Sequence, residues 1–134
     1  MKQINHICII DDDPIVVFGI RKMLSLIVDC NHISSHCNGK VALDTIKSDF
    51  EDKGEIPDVV FLDINMPIMD GWQFLEEFIT LPIEERVRVN IVTSSIDPLD
   101  IERWESYRQK TKHLITFNNK PIRKEQIGLI TEKA

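Results

Sequence analysis

Short apolar runs alternate with amphipathic stretches along this chain. Runs with the length of buried strands occur at residues 6–10, 30–34, 59–62, 87–92 and 113–117, the second being the weakest. Apolar residues recur at helical spacing over residues 14–27, from residue 39, from residue 72, over 99–109 and over 123–132. The run at 59–62 has no polar alternation, which is typical of a parallel strand covered on both faces. The pattern predicts five successive βα units.

Boundary residues support this division. Asp13 precedes Pro14 and Asp97 precedes Pro98, so each aspartate is predicted to cap a helix that has proline at its first position. Residues 47–55 combine charge with Gly54, which predicts an exposed loop after the second helix. Alternation of strands and helices at this spacing predicts an α/β fold with a parallel sheet, right-handed crossovers and helices on both faces.

Size and composition narrow the class of protein. A chain of 134 residues suits one domain, and 43% hydrophobic with 28% charged residues is typical of a globular protein. The net charge of −6 argues against a nucleic-acid partner, because proteins that bind the phosphate backbone gain most of their affinity from Lys and Arg. No apolar run approaches the roughly 20 residues that cross a bilayer. Three cysteines without CxxC spacing and no secretory signal predict a cytoplasmic protein with reduced thiols.

Polar residues follow four of the predicted strands. Asp11 and Asp12 follow the first, Asp63 the third, Thr93 the fourth and Lys120 the fifth. Ligands of parallel α/β folds collect at the carboxyl ends of the strands. If the first and third strands are neighbours, three carboxylates meet there and resist common ionisation, which a cation would relieve. Mg²⁺ prefers such oxygen ligands and is often held together with a substrate phosphate.

The same residue types suit phosphoryl chemistry. A carboxylate such as Asp63 can act as a nucleophile and form an acyl phosphate. The Thr93 hydroxyl and the Lys120 ammonium group can each contact a phosphoryl oxygen. The sequence therefore predicts a site for phosphoryl transfer at this edge of the sheet.

Four segments carry a family resemblance, and they occur in the family's order. IIDDDP at residues 9–14, FLDINMPIMDG at 61–71, IVTS at 91–94 and NKP at 119–121 resemble the signature segments of response-regulator receiver domains. The resemblance implies a flavodoxin-like (βα)5 fold with sheet order 2-1-3-4-5. It also implies a phosphoryl group taken from a sensor histidine kinase or histidine phosphotransfer protein, and a requirement for Mg²⁺, with Mn²⁺ as a substitute.

By position, the resemblance assigns roles to the acidic residues. Asp63 matches the family's phosphoacceptor, and Asp11 and Asp12 match its acidic pair. Of this pair, Asp12 is the one expected to bind the metal directly. The backbone carbonyl of Asn65 would supply a further ligand. Lys120 matches the lysine that pairs with the phosphoryl group.

The resemblance also implies a conformational switch. Thr93 matches the switch hydroxyl and Phe117 the aromatic switch residue, while the Lys120-Pro121 bond resembles one that is cis in the family. Phosphorylation would alter the face formed by the fourth helix, fifth strand and fifth helix, which a downstream protein target would bind. Residues 1–134 would form a stand-alone receiver without an output domain, as a monomer or a phosphorylation-dependent homodimer. It would catalyse only its own phosphorylation and dephosphorylation.

Three features depart from the family pattern. The interval from Asp12 to Asp63 is several residues longer than is expected for the family, and the predicted loop at 47–55 would hold the extra residues. The interval from Thr93 to Lys120 is also long, which predicts a longer fourth helix or a longer loop around residues 110–112. Ser94 stands where the family usually has a smaller residue.

Two other functions stay open. Asp11, Asp12 and Asp13 satisfy the DxD motif of haloacid-dehalogenase-type phosphatases, although that reading leaves the Asp63 segment unexplained. A pseudo-receiver that acts as an interaction module without phosphorylation is the second, and the filled pocket positions argue against it.

Two clusters have both a structural and a functional interpretation. Cys30, His32, His36 and Cys37 are of metal-binding types, but their spacing fits no zinc pattern. Trp104 and Tyr107 lie about one helical turn apart and either pack partly against the sheet or form an interface.

Overall fold

A computed structural model of the chain describes residues 2–66 and 68–134. Its five strands form one parallel sheet in the order β2-β1-β3-β4-β5. The strands are β1 (Lys2–Ile10), β2 (Val28–His36), β3 (Val59–Leu62), β4 (Arg88–Thr93) and β5 (Leu114–Asn119). The helices are α1 (Pro14–Ile27), α2 (Gly39–Lys53), α3 (Gly71–Phe78), α4 (Pro98–Lys110) and α5 (Lys124–Ile130). The predicted fold class and strand order are confirmed.

The helices cover both faces of the sheet. On one face, α2 and α3 bury a cluster that includes Leu43, Phe74 and Phe78 against the sheet. On the other face, α1 and α5 bury Leu24 and Ile127. All four residues of β3 are buried, as the absence of polar alternation predicts.

The predicted loop at residues 47–55 is wrong, because α2 continues to Lys53. Ile46 is buried and Phe50 packs against the same cluster, so the apolar stripe extends further than the charged residues suggest. The charged residues Glu51, Asp52 and Lys53 of this helix are exposed. Gly54 ends it with φ of 67°, a left-handed conformation that glycine adopts without strain, and its N–H donates to Asp49 and Phe50 carbonyls.

Strand β2 is longer than its predicted core of residues 30–34. It spans Val28–His36 because it pairs with β1 along its whole length, from Lys2 opposite Val28 to Ile10 opposite His36. Backbone pairing at a sheet edge tolerates polar side chains that the apolar pattern does not detect.

The long interval between Thr93 and Lys120 is occupied mainly by helix. Helix α4 has 13 residues, and residues 111–113 form a short connection to β5. None of the residues Pro98–Lys110 is buried, so α4 is held to the domain by partly buried contacts. Across residues 2–66 and 68–134, no helix is long and apolar enough to cross a bilayer.

Candidate functional site

The four predicted strand ends meet at one edge of the sheet. Asp11 follows β1, Asp63 follows β3, Thr93 ends β4 and Lys120 follows β5. Because β1, β3, β4 and β5 are consecutive neighbours in the sheet, their carboxyl ends place these side chains side by side. Asp11, Asp63 and Thr93 are 4%, 5% and 0% exposed, so the site is set into the edge.

Three carboxylates converge in this site. Asp11, Asp12 and Asp63 each offer an oxygen, and the three oxygens lie within 4.8 Å of one another. A donor set made of oxygens fits a hard cation such as Mg²⁺. Asn65 lies beside them, and its backbone N–H donates to Asp63 Oδ1 at 3.2 Å. The role of the Asn65 carbonyl as a ligand stays a prediction.

Lys120 bridges two of the carboxylates. Its Nζ lies 3.0 Å from Asp11 Oδ2 and 3.5 Å from Asp63 Oδ2. Burial alone would lower the pKa of Lys120, but its hydrogen bond to Asp11 and the charges of Asp11 and Asp63 outweigh that effect and raise the pKa. The ammonium group therefore stays charged beside the carboxylates.

The environment of Asp63 disfavours its charged form. Its pKa is raised, first by burial and further by the negative charge of Asp11, although the Asn65 N–H and Lys120 act in the opposite direction. A buried carboxylate next to like charge favours any partner that brings positive charge or consumes the negative charge.

Local backbone structure positions the acidic residues. Asp11 Oδ1 accepts a hydrogen bond from the Asp13 N–H at 2.9 Å, which turns the chain between β1 and α1. Asp13 Oδ1 accepts from the Ile15 N–H at 2.9 Å, so Asp13 caps α1 as predicted. Asp97 likewise accepts from the Leu99 N–H and caps α4.

The start of α3 packs directly on the segment that carries Asp63. A Cβ added to Gly71 would overlap the Asp63 carbonyl oxygen and come within 2.7 Å of Ile64 Cα. Only glycine allows this approach. In the connecting turn, Ile68 has φ of 70°, a strained value for a β-branched residue, and Pro67 lies outside the described residues.

Thr93 is part of a hydrogen-bonded segment. Its Oγ1 accepts from the Ser95 N–H at 3.1 Å and lies 3.5 Å from Asn65 Nδ2. Asn119 Nδ2 donates to the Ser95 carbonyl at 2.8 Å. The sequence places Asn119 in the NKP segment but gives it no role, since an asparagine at a strand end carries no signal of its partner.

The remaining predicted positions are accounted for as follows. Phe117 is partly buried and lies against Trp104, with ring centroids 5.9 Å apart. Trp104 Nε1 donates to the Ile115 carbonyl at 2.8 Å, so this tryptophan packs partly against the sheet. Tyr107 stacks on Trp72. The Lys120-Pro121 bond is cis, as predicted.

Comparison with known proteins identifies the class. The family profile of the response regulator receiver domain matches residues 7–128. A two-component response regulator from Cytophaga hutchinsonii has a similar structure, with a TM-score of 0.80 and 24% identity over 96% of this chain and 95% of that one. The chain belongs to the response regulator receiver domain family.

Sequence relatives are mostly longer proteins. A protein-glutamate methylesterase/protein-glutamine glutaminase of Methanosarcina acetivorans is 41% identical over 63 residues, which is 47% of this chain and 16% of the relative. An uncharacterised response regulatory protein of Vibrio cholerae is 28% identical over 99% of this chain and 46% of its own length. The chain thus spans less than half of these relatives.

Proposed function

We propose that this receiver domain accepts a phosphoryl group on Asp63 from the phosphohistidine of a sensor histidine kinase or histidine phosphotransfer protein. The observation that supports this most strongly is the environment of Asp63. Its carboxylate is buried among Asp11 and Asp12 oxygens and within 3.5 Å of the Lys120 ammonium group. Attack on phosphorus converts this crowded anion into an acyl phosphate.

The transfer needs one bond to form and one to break. An Asp63 carboxylate oxygen forms a bond to phosphorus while the P–N bond of the donor phosphohistidine breaks, and the leaving imidazole takes a proton from solvent. Lys120 pairs with one phosphoryl oxygen, and the Thr93 hydroxyl donates to another. No separate substrate is turned over, so the chain catalyses only its own phosphorylation and dephosphorylation.

The aspartates fit a Mg²⁺ ion, and Mn²⁺ would suit the same oxygen donors. Asp11, Asp12 and Asp63 would hold it, with the Asn65 carbonyl as a further ligand. The ion would neutralise charge on the phosphoryl oxygens during transfer. Asp13, which a DxD phosphatase would use as its second acid, instead caps α1.

Phosphorylation would act as a switch. Thr93 would move toward the phosphoryl group, Phe117 would turn toward the space that Thr93 leaves, and the face built from α4, β5 and α5 would change. Supporting this, α4 has no buried residue in Pro98–Lys110 and contacts Phe117 through Trp104. A downstream protein in the cytoplasm would bind this face. The receiver itself would be a monomer or a phosphorylation-dependent homodimer.

Intact mass spectrometry tests the proposal. After incubation with Mg²⁺ and acetyl phosphate, or with a phosphorylated phosphotransfer protein, the wild type should gain one phosphoryl group and Asp63→Asn should gain none. Asp58→Asn is the matched control, because Asp58 is a carboxylate just before β3 rather than after it. A phosphoryl group that persists in Asp63→Asn, or no acyl phosphate from either donor, would contradict the proposal, and the second result would favour a pseudo-receiver.

A further inference from the structure

A row of hydrogen bonds leads from Thr93 to Trp72 in the first turn of α3. Thr93 Oγ1 accepts from the Ser95 N–H at 3.1 Å, and Ser95 Oγ donates a hydrogen bond to Asp100 Oδ2. The other oxygen of the same carboxylate, Asp100 Oδ1, accepts from Trp72 Nε1 at 3.0 Å. Asp100 therefore joins the switch position to the buried indole of Trp72.

Ser95 has other hydrogen-bond partners besides Asp100. Its hydroxyl accepts from the Asp97 N–H at 3.2 Å, and its carbonyl accepts from Asn119 Nδ2 at 2.8 Å. The segment between β4 and α4 is thus fastened to β5, to α4 and, through Asp100, to α3. Thr93 cannot move toward Asp63 with its Ser95 contact intact unless this segment moves with it.

Asp100 lies in the first turn of α4, a helix without buried side chains in Pro98–Lys110. Trp72, by contrast, is 6% exposed and belongs to the core under α3. The bond between the indole and the carboxylate therefore attaches a weakly anchored helix to a firmly packed one. Because the carboxylate is charged, its hydrogen bonds are stronger than those between neutral groups.

We propose that Asp100 is a positioning residue that stabilises the unphosphorylated arrangement of the β4–α4 segment. Phosphorylation of Asp63 draws Thr93 away and breaks the hydrogen bond between Ser95 and Asp100, which frees the start of α4 and changes the environment of Trp72. This inference rests on the proposed function. It adds a specific restraint that the phosphoryl group must overcome, since a ligand shifts an equilibrium only by its differential interaction with two states.

Removal of the restraint should favour the phosphorylated arrangement. With beryllofluoride and Mg²⁺ as the probe, Asp100→Ala and Ser95→Ala should each bind several-fold more tightly than the wild type. The effect of the double variant should be clearly smaller than the sum of the two single effects, because both substitutions remove the hydrogen bond between Ser95 and Asp100. Glu102→Ala, an exposed acid on the same helix, is the matched control and should bind like the wild type. A purely structural role would lower the melting temperature without tightening binding.

The indole N–H resonances give an independent reading. Trp72 and Trp104 donate to different acceptors, Asp100 and the Ile115 carbonyl, so Trp72→Phe assigns the two signals. In the wild type the Trp72 resonance should shift on addition of beryllofluoride. In Ser95→Ala, which keeps the Asp100 carboxylate, the free protein should already be displaced toward the bound position.

Two results would overturn the inference. Equal beryllofluoride affinity in the wild type, Asp100→Ala and Ser95→Ala would show that the bond does not restrain the switch. Additive effects in the double variant would show that the two residues act separately. If Asp100→Ala does not fold, Ser95→Ala and the Trp72 resonance still decide the matter. Failure of the wild type to bind beryllofluoride would contradict the proposed function itself, and with it this inference.

Discussion

The two ends of the sheet differ in how closely their charged side chains are crowded together. At the carboxyl ends of the strands, Asp11 and Asp63 are buried beside each other, and burial raises the pKa of Asp63. At the amino ends, Asp58 Oδ2 accepts from the Asn5 N–H at 2.9 Å, and the buried His113 Nδ1 accepts from the Val87 N–H at 2.9 Å. Asp58 and His113 each satisfy a backbone donor, and neither lies in a cluster of buried carboxylates among the described residues.

This difference separates function from stability. Hydrogen-bonded groups at the amino ends stabilise the junctions before β3, β4 and β5, since an unsatisfied buried donor there would destabilise the fold. The like charges at the carboxyl ends do not favour folding by themselves, but they create a site that attracts a cation and a phosphoryl group. Substitutions at the two ends should therefore have different effects.

The largest effect is expected for Lys120→Ala. Loss of the ammonium group beside Asp63 removes a charged partner of the phosphoryl oxygens, so acyl phosphate formation should slow by about 10²-fold or more. The rate can be followed by intact mass after addition of acetyl phosphate. Lys112→Ala is the control. Lys112 lies just before β5 and contacts the Glu84 carbonyl, so this variant should keep the wild-type rate. Equal rates in both variants would remove the distinction between the ends.

His113→Ala should have the reverse profile. It removes a 4% exposed ring that packs against Phe78 and leaves the Val87 N–H without its acceptor, so the free energy of unfolding should fall by about 2–3 kcal/mol. Urea denaturation measures this loss, and acyl phosphate formation in the folded variant should be unchanged. A stable variant with slower phosphorylation would contradict the assignment of this residue to stability.

Removal of one carboxylate at each end should change stability with opposite signs. Asp58→Ala should lower the free energy of unfolding by about 1 kcal/mol, because two backbone N–H groups lose their acceptor. Asp63→Asn, measured without divalent cations, should raise it by about 0.5–1 kcal/mol, because a neutral amide avoids the cost of burying a charged carboxylate and also the repulsion with Asp11. A loss of stability in Asp63→Asn would show that Lys120 already compensates the charge.

Acid should act through the amino end with a smaller effect. Burial, and then the charges of Lys112 and Arg86, lower the pKa of His113 below its usual value of 6.5. The unfolded chain therefore binds a proton before the folded one does, and stability should decline as the pH falls below about 6.5. Denaturant midpoints at successive pH values should show a shallower decline in His113→Gln than in the wild type. The same slope in both would exclude His113 as a contributor to this decline, since His6 and His36, whose pKa values burial also lowers, would then account for it.

Prediction from the sequence worked best where one local pattern decided the outcome. The caps at Asp13 and Asp97 formed as predicted, because an aspartate before a proline satisfies the N–H groups of the turn that follows. It failed at residues 47–53, where the charged stretch predicts a loop and the structure has helix. Contact of Phe50 with the core extends α2 through that stretch, and this contact depends on the sheet.

The residues of the site also divide into those that the sequence predicted and those that it did not. The residue types at the strand ends, Asp11, Asp63, Thr93 and Lys120, were evident from the sequence, because each follows a β-favouring run. Asp100 was not, since an acidic residue in a polar helix ordinarily faces solvent. Its hydrogen bond joins it to Trp72, 28 residues away, and no local pattern encodes that distance.

The sequence by itself determined the alternation of strands and helices and the chemistry that each strand end carries. Those properties follow from side-chain types and their spacing over a few residues. Tertiary structure alone decided that Lys120 lies between Asp11 and Asp63, and that Asp100 links Ser95 to Trp72. These contacts arise when distant segments pack, so their existence depends on strand order and helix placement over the whole chain.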